Sequence, residues 1–129
     1  MQAGTVVLGR YVVDGPLGEG GMGRVFIGHH SELGFPVAIK VMGDPGAVEL
    51  RERFTREAVM MARVRHAAVV SVLDCGFVEN DSPCIVMEYL EGEALEALLA
   101  RRVTLPWSEA VQVIHGVLWG LDAIHATGI

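Results

Sequence analysis

The sequence contains a single lysine, Lys40, among its ten formal cations. It has only two cysteines, and no uninterrupted apolar run long enough to span a bilayer. Each scarcity excludes something. The arginines are scattered rather than striped in a chain of net charge −6, which argues against the basic footprint of a nucleic-acid binder; acidity here serves solubility. Cys75 and Cys84 lack metal-ligand spacing, so no metal site is expected from them, and they read as buried thiols in a reducing compartment, the cytoplasm. The most apolar run, Ala110 to Ile124, is interrupted by Gln112, His115 and Asp122 and falls short of the ~20 residues a membrane span requires. No membrane segment is expected.

What is present is apolar for its size. The chain has 129 residues, of which 51% are hydrophobic and 20% charged, with a mean hydropathy of +0.40. That length suits one domain, and the apolar excess predicts surface meant to be covered by something else. The strongest local signal is Leu17-Gly18-Glu19-Gly20-Gly21-Met22-Gly23-Arg24-Val25, a G-x-G-x-x-G spacing, followed at a hairpin's distance by Val37-Ala38-Ile39-Lys40. Glycines at those positions let a backbone lie close to a bulky anion, which points to a nucleotide triphosphate.

Order along the chain decides which glycine loop this is. Arg10 to Val13 reads as a strand entering the loop, bent at Asp14-Gly15-Pro16; Val25 to Ile27 reads as a strand leaving it, Ser31 to Gly34 as a turn, and Phe35 to Val41 as a third strand. A dinucleotide fold needs the glycines to open a helix, with an acidic residue about 20 positions on. Here β-branched residues follow, and the residue waiting downstream is a lysine. A Walker loop is excluded because no Gly-Lys-Ser/Thr occurs.

Gly43-Asp44-Pro45-Gly46 breaks the third strand, and Ala47 to about Arg65 is predicted as a helix with one apolar stripe of Leu50, Phe54, Ala58, Met61 and Val64. Glu57 is expected to project between Phe54 and Met61, on the inward face, where an unpaired charge would cost on the order of several kcal/mol. The alternative is a carboxylate that snorkels at the edge of the stripe. Lys40 is the natural partner, since a compact ammonium on a flexible stem can serve both a phosphate and a carboxylate. A GC-rich genome would also favour arginine over lysine, but it does not explain why the one lysine ends Val-Ala-Ile-Lys. Further strands are predicted at Val69–Phe77 and Cys84–Leu90, joined by a polar loop at 79–83, to give a five-stranded antiparallel sheet with one helix packed on it. A short helix from Ala94 to Arg102 and a long one from Trp107 to about Ala126 follow, the latter apolar nearly all round and so expected to be buried in something larger. His29-His30 reads as a surface pair, because no carboxylate or third ligand stands nearby in sequence to complete a metal site.

With these residues in view, the chain resembles the N-terminal half of a protein kinase catalytic domain, most closely the bacterial serine/threonine kinases whose glycine loop reads Gly-x-Gly-Gly-Met-Gly-x-Val. The match runs from about Tyr11 to Ile129, with the motifs in the family's order and spacing. The resemblance implies an α+β fold: a kinase N-lobe made of the five-stranded sheet and helix C, then a hinge and the first two helices of an incomplete C-lobe. It divides the chain into a lead at 1–10, the N-lobe and hinge at 11–90, and the start of the C-lobe at 91–129. It implies that Gly18, Gly20 and Gly23 cover the ATP phosphates, with Leu17, Glu19, Gly21 and Met22 also in the ATP site, that Val25 and Ala38 pack on adenine, and that Lys40 contacts the α- and β-phosphates with Glu57 as its ion-pair partner. Met87 falls at the gatekeeper position, and Glu88, Tyr89 and Leu90 at the hinge, with the backbone of Glu88 and Leu90 meeting the adenine edge; Glu91 or Glu93 reaches the ribose. His66 matches the histidine that follows helix C, although Ala67-Ala68 replaces the usual Pro-Asn. Helix C is a switch in this family, so pairing of Lys40 with Glu57 depends on its position.

The resemblance also defines what to expect from residues 1–129 by themselves. The family continues from this point into His-Arg-Asp, an Asn just after it, Asp-Phe-Gly and Ala-Pro-Glu, and residues 1–129 contain none of these three motifs. The catalytic base and the ligands of the implied Mg²⁺ are thus absent, and the polypeptide is expected to transfer no phosphate unaided. The implied partners are ATP, a protein substrate of the whole kinase and the remainder of the C-lobe. Two readings follow: the ATP-binding portion of a serine/threonine kinase, or a naturally short, pseudokinase-like binding module. The apolar last helix favours the first.

Overall fold

The computed structural model describes residues 1–20, 23–43 and 48–128. Gly21 and Met22 of the glycine loop, most of the break at 44–47, the side chain of Leu50 and Ile129 lie outside the described residues. The elements are β1 (Val6–Val7), β2 (Tyr11–Gly20), β3 (Gly23–His30), β4 (Pro36–Val41), α1 (Val48–Met61), β5 (Val72–Val78), β6 (Ser82–Glu88), α2 (Leu95–Arg102) and α3 (Trp107–His125), with a single 3₁₀ turn at Glu79–Asp81 between β5 and β6.

One antiparallel sheet holds all six strands in the order β1-β2-β3-β4-β6-β5. The sixth strand, unforeseen, is the two-residue β1, where Val6 and Val7 pair with Val12 and Tyr11. Two residues carry too little alternation to register as a strand in sequence. β2 continues through the predicted bend at Asp14-Gly15-Pro16, which survives as register shifts between Val13 and Gly15 and between Pro16 and Gly18.

The sheet curls until the segment after β1 meets the opposite edge. Leu8 lies against Gly76 of β5, where an added Cβ would stand 2.7 Å from Leu8 Cδ2. Arg10 Nε reaches Asp74 Oδ2 at 3.7 Å. The core fills the concave side: Val7, Tyr11, Val13, Phe26, Val37, Ile39, Cys84 and Val86 form one buried cluster. Burial, reinforced by the charge of Asp74, raises the Tyr11 phenol pKa above its ordinary value.

α1 packs through Ala58, which is buried, and through Phe54, whose ring meets Phe77 of β5 edge-on at 5.8 Å. The helix stops at Met61, short of the predicted Arg65. Arg63 and Val64 donate instead to the carbonyls of Met60 and Met61, and this tightened turn delivers Val64 into the interior. β5 starts at Val72 rather than Val69 because Val69 N–H closes a turn on His66 O. β6 ends at Glu88, leaving Tyr89 and Leu90 outside the ladder.

Both cysteines are free thiols: Cys84 is fully buried and Cys75 partly so. Burial pushes the Cys84 thiol up to about 12 and raises that of Cys75, with Asp74 adding to both. Because the folded value of Cys84 lies above its unfolded one, the stability linked to this thiol is complete below the ordinary thiol value of 9.0 and is lost as pH rises toward about 12. Native chain treated with iodoacetamide at pH 8 is expected to label slowly at Cys75 and at Cys84 only after unfolding, read by peptide mass spectrometry. Rapid native labelling of Cys84 would contradict the burial.

Candidate active site

Strand register decides which side chains share a surface, because direct cross-strand partners point to the same face and alternate residues to opposite ones. Gly18 pairs with Val25, Val25 with Lys40, and Lys40 with Ile85, forming one row across β2, β3, β4 and β6. The next row on the same face is Ile27, Ala38, Met87 and Val72. Phe26, Ile39 and Val86 occupy the row between them and point into the core. Gly18, Val25, Ala38, Lys40 and Met87 are therefore brought to one face. Gly18 lies two strands from Lys40, about 10 Å at the usual strand spacing, a gap that an ammonium on its four-carbon stem spans from one side and a phosphate chain from the other.

The described glycines of the loop are glycine for different reasons. Gly23 has φ +132°, and a Cβ there would lie 2.3 Å from the carbonyl oxygen of Val41, so its role is internal to the hairpin. Gly18 has no protein atom within 4 Å of the position a Cβ would take. Among the described residues nothing occupies the space in front of Gly18, so that face of the strand is open. Leu17 and Glu19 flank it and are exposed, and Glu19 faces Arg24 across the hairpin at 3.8 Å. Gly20 ends β2 opposite Gly23.

The hinge segment begins with a clasp that sequence reasoning missed. Glu88 N–H donates to Ser71 O at 3.0 Å, and Ser71 N–H donates to Glu88 Oε1 at 2.7 Å. The Ser71 amide holds the Glu88 carboxyl below its usual range. Tyr89 is half-buried and Leu90 exposed, leaving backbone beyond the ladder available to a ligand.

Glu57 corrects an expectation. It is not on the inward face: its carboxylate accepts from Arg53 Nε at 2.8 Å, an i,i+4 pair with both side chains more than half exposed. Among the described residues no ion pair joins it to Lys40. At about 100° per residue, Glu57 stands roughly 60° from Phe54 and 100° from Ala58, the residues that set the packing line, so it falls on the flank of the stripe. An exposed carboxylate also keeps its hydration, which an inward one would lose. Glu57→Gln in the nucleotide-free chain is therefore expected to cost no more than about 0.5 kcal/mol by urea titration. A loss above about 2 kcal/mol would show instead a buried pair with Lys40.

The first segment after α1 docks on α3. His66 Nδ1 accepts from Ala68 N–H at 3.2 Å and its ring meets Trp119 edge-on at 4.2 Å. Gly120, the one buried residue of α3, sits so close to this turn that a Cβ would lie 2.9 Å from Ala68 O. A glycine inside a helical pattern was the available signal for this close approach. His29 pairs with Asp14 at 2.9 Å, and His30 lies between Tyr11 and Phe35.

A family model described as "Protein kinase domain" matches residues 11–129. The chain belongs to the protein kinase domain family. Among curated relatives, the serine/threonine-protein kinase pkn2 of Myxococcus xanthus is 41% identical over 126 residues, covering 96% of this chain and 15% of that protein. PknL of Mycobacterium tuberculosis is 38% identical over 122 residues, covering 93% of this chain and 30% of its own length. Crystal structures of the Mycobacterium tuberculosis PknI kinase domain superimpose over all of this chain and about half of theirs, with TM-scores of 0.89 at 29% identity and 0.86 at 30%. The chain thus spans less than a third of these curated relatives and about half of a kinase domain. In kinase terms the sheet with α1 is the N-lobe and α2 with α3 begins the C-lobe. No helix among the described residues is long and apolar enough to cross a membrane.

Proposed function

We propose that this chain is the ATP-binding portion of a cytoplasmic serine/threonine protein kinase that transfers the γ-phosphoryl group of ATP to protein hydroxyls. The observation that supports it most is the shared face of Gly18, Val25, Lys40, Ala38 and Met87, with open space in front of Gly18. In this reading the lead is 1–10, the N-lobe and hinge 11–90 and the start of the C-lobe 91–129. The loop from Leu17 to Gly23 covers the phosphates, Val25 and Ala38 enclose the adenine, Met87 is the gatekeeper, and the Glu88–Leu90 backbone meets the adenine edge. Lys40 neutralises the α- and β-phosphates, a charge-assisted contact. Glu57 becomes its partner when α1 turns inward and exchanges Arg53 for Lys40, a swap between two cations that the exposed pair makes inexpensive.

The residues present do not fit a protein-held Mg²⁺. Among the described residues no cluster of His, Cys, Asp or Glu could hold a metal, and the sequence contains no Asp-Phe-Gly. Residues 1–129 alone are expected to position nucleotide without transferring its phosphate, because they contain no His-Arg-Asp motif. The exposed apolar surface of α3, Trp107 at 83%, Ile114 and Leu118 among it, favours a covering C-lobe over a free-standing binding module.

Titration of the folded chain with ATP tests the reading. A ligand that binds only the native state at 100 times its Kd adds about 2.7 kcal/mol, and a melting shift of several degrees is expected. Absence of any shift at 5 mM ATP in a sample that melts cooperatively would overturn it.

A further inference from the structure

Among the serines and threonines of the chain, only Thr55 and Thr104 follow two arginines within the four preceding positions. Thr55 lies inside α1, and its hydroxyl donates to Arg51 O at 3.0 Å. Thr104 is the accessible one. It stands exposed in the connection between α2 and α3, within Arg101-Arg102-Val103-Thr104-Leu105.

This connection opens at little cost. α2 contains no buried residue, and Val103, 81% exposed, holds φ +62°, a conformation that a β-branched side chain adopts only with strain. Unwinding the last turn of α2 presents residues 101–105 as extended chain. Both arginines are engaged by carboxylates when the turn is closed. Arg101 pairs with Glu93, just beyond the hinge, and Arg102 grips Glu109 in the first turn of α3 through two contacts at 2.7 and 3.2 Å. All four side chains are at least a third exposed, so both pairs are weak and exchangeable.

We propose that Thr104 is a phosphorylation site whose phosphate draws Arg101 and Arg102 away from Glu93 and Glu109. The modifying enzyme is a serine/threonine kinase whose peptide cleft carries carboxylates and so reads the two guanidinium groups ahead of the hydroxyl. The bond from Thr104 Oγ1 to the γ-phosphorus of ATP forms as the bond from that phosphorus to the β,γ-bridging oxygen breaks. ADP leaves, and the hydroxyl proton passes to the base of the modifying kinase. Because residues 1–129 contain no His-Arg-Asp motif, a separate kinase molecule makes the modification. The phosphate brings a charge of about −1.5 to −2 and three acceptor oxygens, where each carboxylate has one charge and two oxygens. It also sits only two and three positions from the arginines. Capturing them releases α2 from the hinge exit on one side and from α3 on the other.

Folded residues 1–129, incubated with ATP, Mg²⁺ and a purified arginine-directed serine/threonine kinase, are expected to gain about 80 Da, one phosphate, placed on Thr104 by tandem mass spectrometry. Thr104→Ala loses the addition and Thr104→Ser keeps it. Arg101→Gln/Arg102→Gln slows it at least about tenfold. No incorporation into a chain that melts cooperatively, or a phosphate placed on another residue, overturns the site. The exchange of partners has a separate readout. With phosphothreonine installed at position 104 during translation, phosphorus NMR is expected to give a titration midpoint at least about half a pH unit below that of the same chain carrying Arg101→Gln/Arg102→Gln, because paired guanidinium groups favour the dianion. Equal midpoints overturn the exchange. None of these outcomes depends on nucleotide binding by the chain itself.

Discussion

Gly28→Ala is expected to remove a large part of the stability of the sheet, although it adds a single methyl group. A Cβ at Gly28 would stand 2.4 Å from the carbonyl oxygen of Val12 and 3.0 Å from Ile39 Cδ1. The first is backbone of the neighbouring strand and the second belongs to a side chain with no exposed surface at the centre of the core. Neither can swing aside as the tip of a flexible surface chain could. β2 and β3 would have to separate, and Gly28 pairs with both Val13 and Val37, so the strain spreads to the β3–β4 ladder that carries Lys40. Overpacking in a dense interior costs about 1–3 kcal/mol where neighbours can adjust; with backbone as the obstacle we expect about 3 kcal/mol or more. That is a large part of the stability of a domain this size, roughly 5–15 kcal/mol. Gly15→Ala is the control, since nothing lies within 4 Å of its Cβ position, and it should change stability by no more than about 0.5 kcal/mol. Urea unfolding followed by circular dichroism separates the two. Indistinguishable midpoints for Gly28→Ala and Gly15→Ala would mean the register is wrong.

Lys40→Met should leave the fold intact and abolish most of the nucleotide response. Lys40 is half-buried on the nucleotide face, and no ion pair holds it among the described residues, so methionine removes the charge while keeping most of the apolar stem. A charge-assisted contact is worth about 1.5–3 kcal/mol, so the ATP concentration that half-saturates the melting shift should rise roughly 10- to 100-fold. Urea stability should fall by less than about 1 kcal/mol. An unchanged ATP response would remove Lys40 from the site. An intact response coupled to lost stability would make it a structural residue instead.

The glycine spacing, the strand after it, Lys40 and the helix that follows were legible because each depends on local preference or short period. β-branched runs after the glycines can only continue as strand, and Phe54, Ala58 and Met61 mark a packed helix face wherever that helix goes. Glu57 was not legible. Its angular position relative to the stripe depends on which stripe residues touch the sheet, and contact of Ala58 and Phe54 with β5 and its surroundings rolled the carboxylate outward to Arg53. The Ser71–Glu88 clasp, the approach of Gly120 to Ala68 and the meeting of Leu8 with Gly76 join residues 17, 52 and 68 positions apart, and no local pattern encodes such pairings.

The sequence by itself determined the family, the order of the elements and the residue types of the glycine loop, because motif spacing and hydrophobic period are properties of neighbours along the chain. Only the tertiary structure decided that Gly18, Val25, Lys40, Ala38 and Met87 share one face while Glu57 stays outside it. A strand's side chains alternate, so a one-residue slip in pairing would have turned that whole set into the core, and a helix must be docked before any of its residues can be called inward.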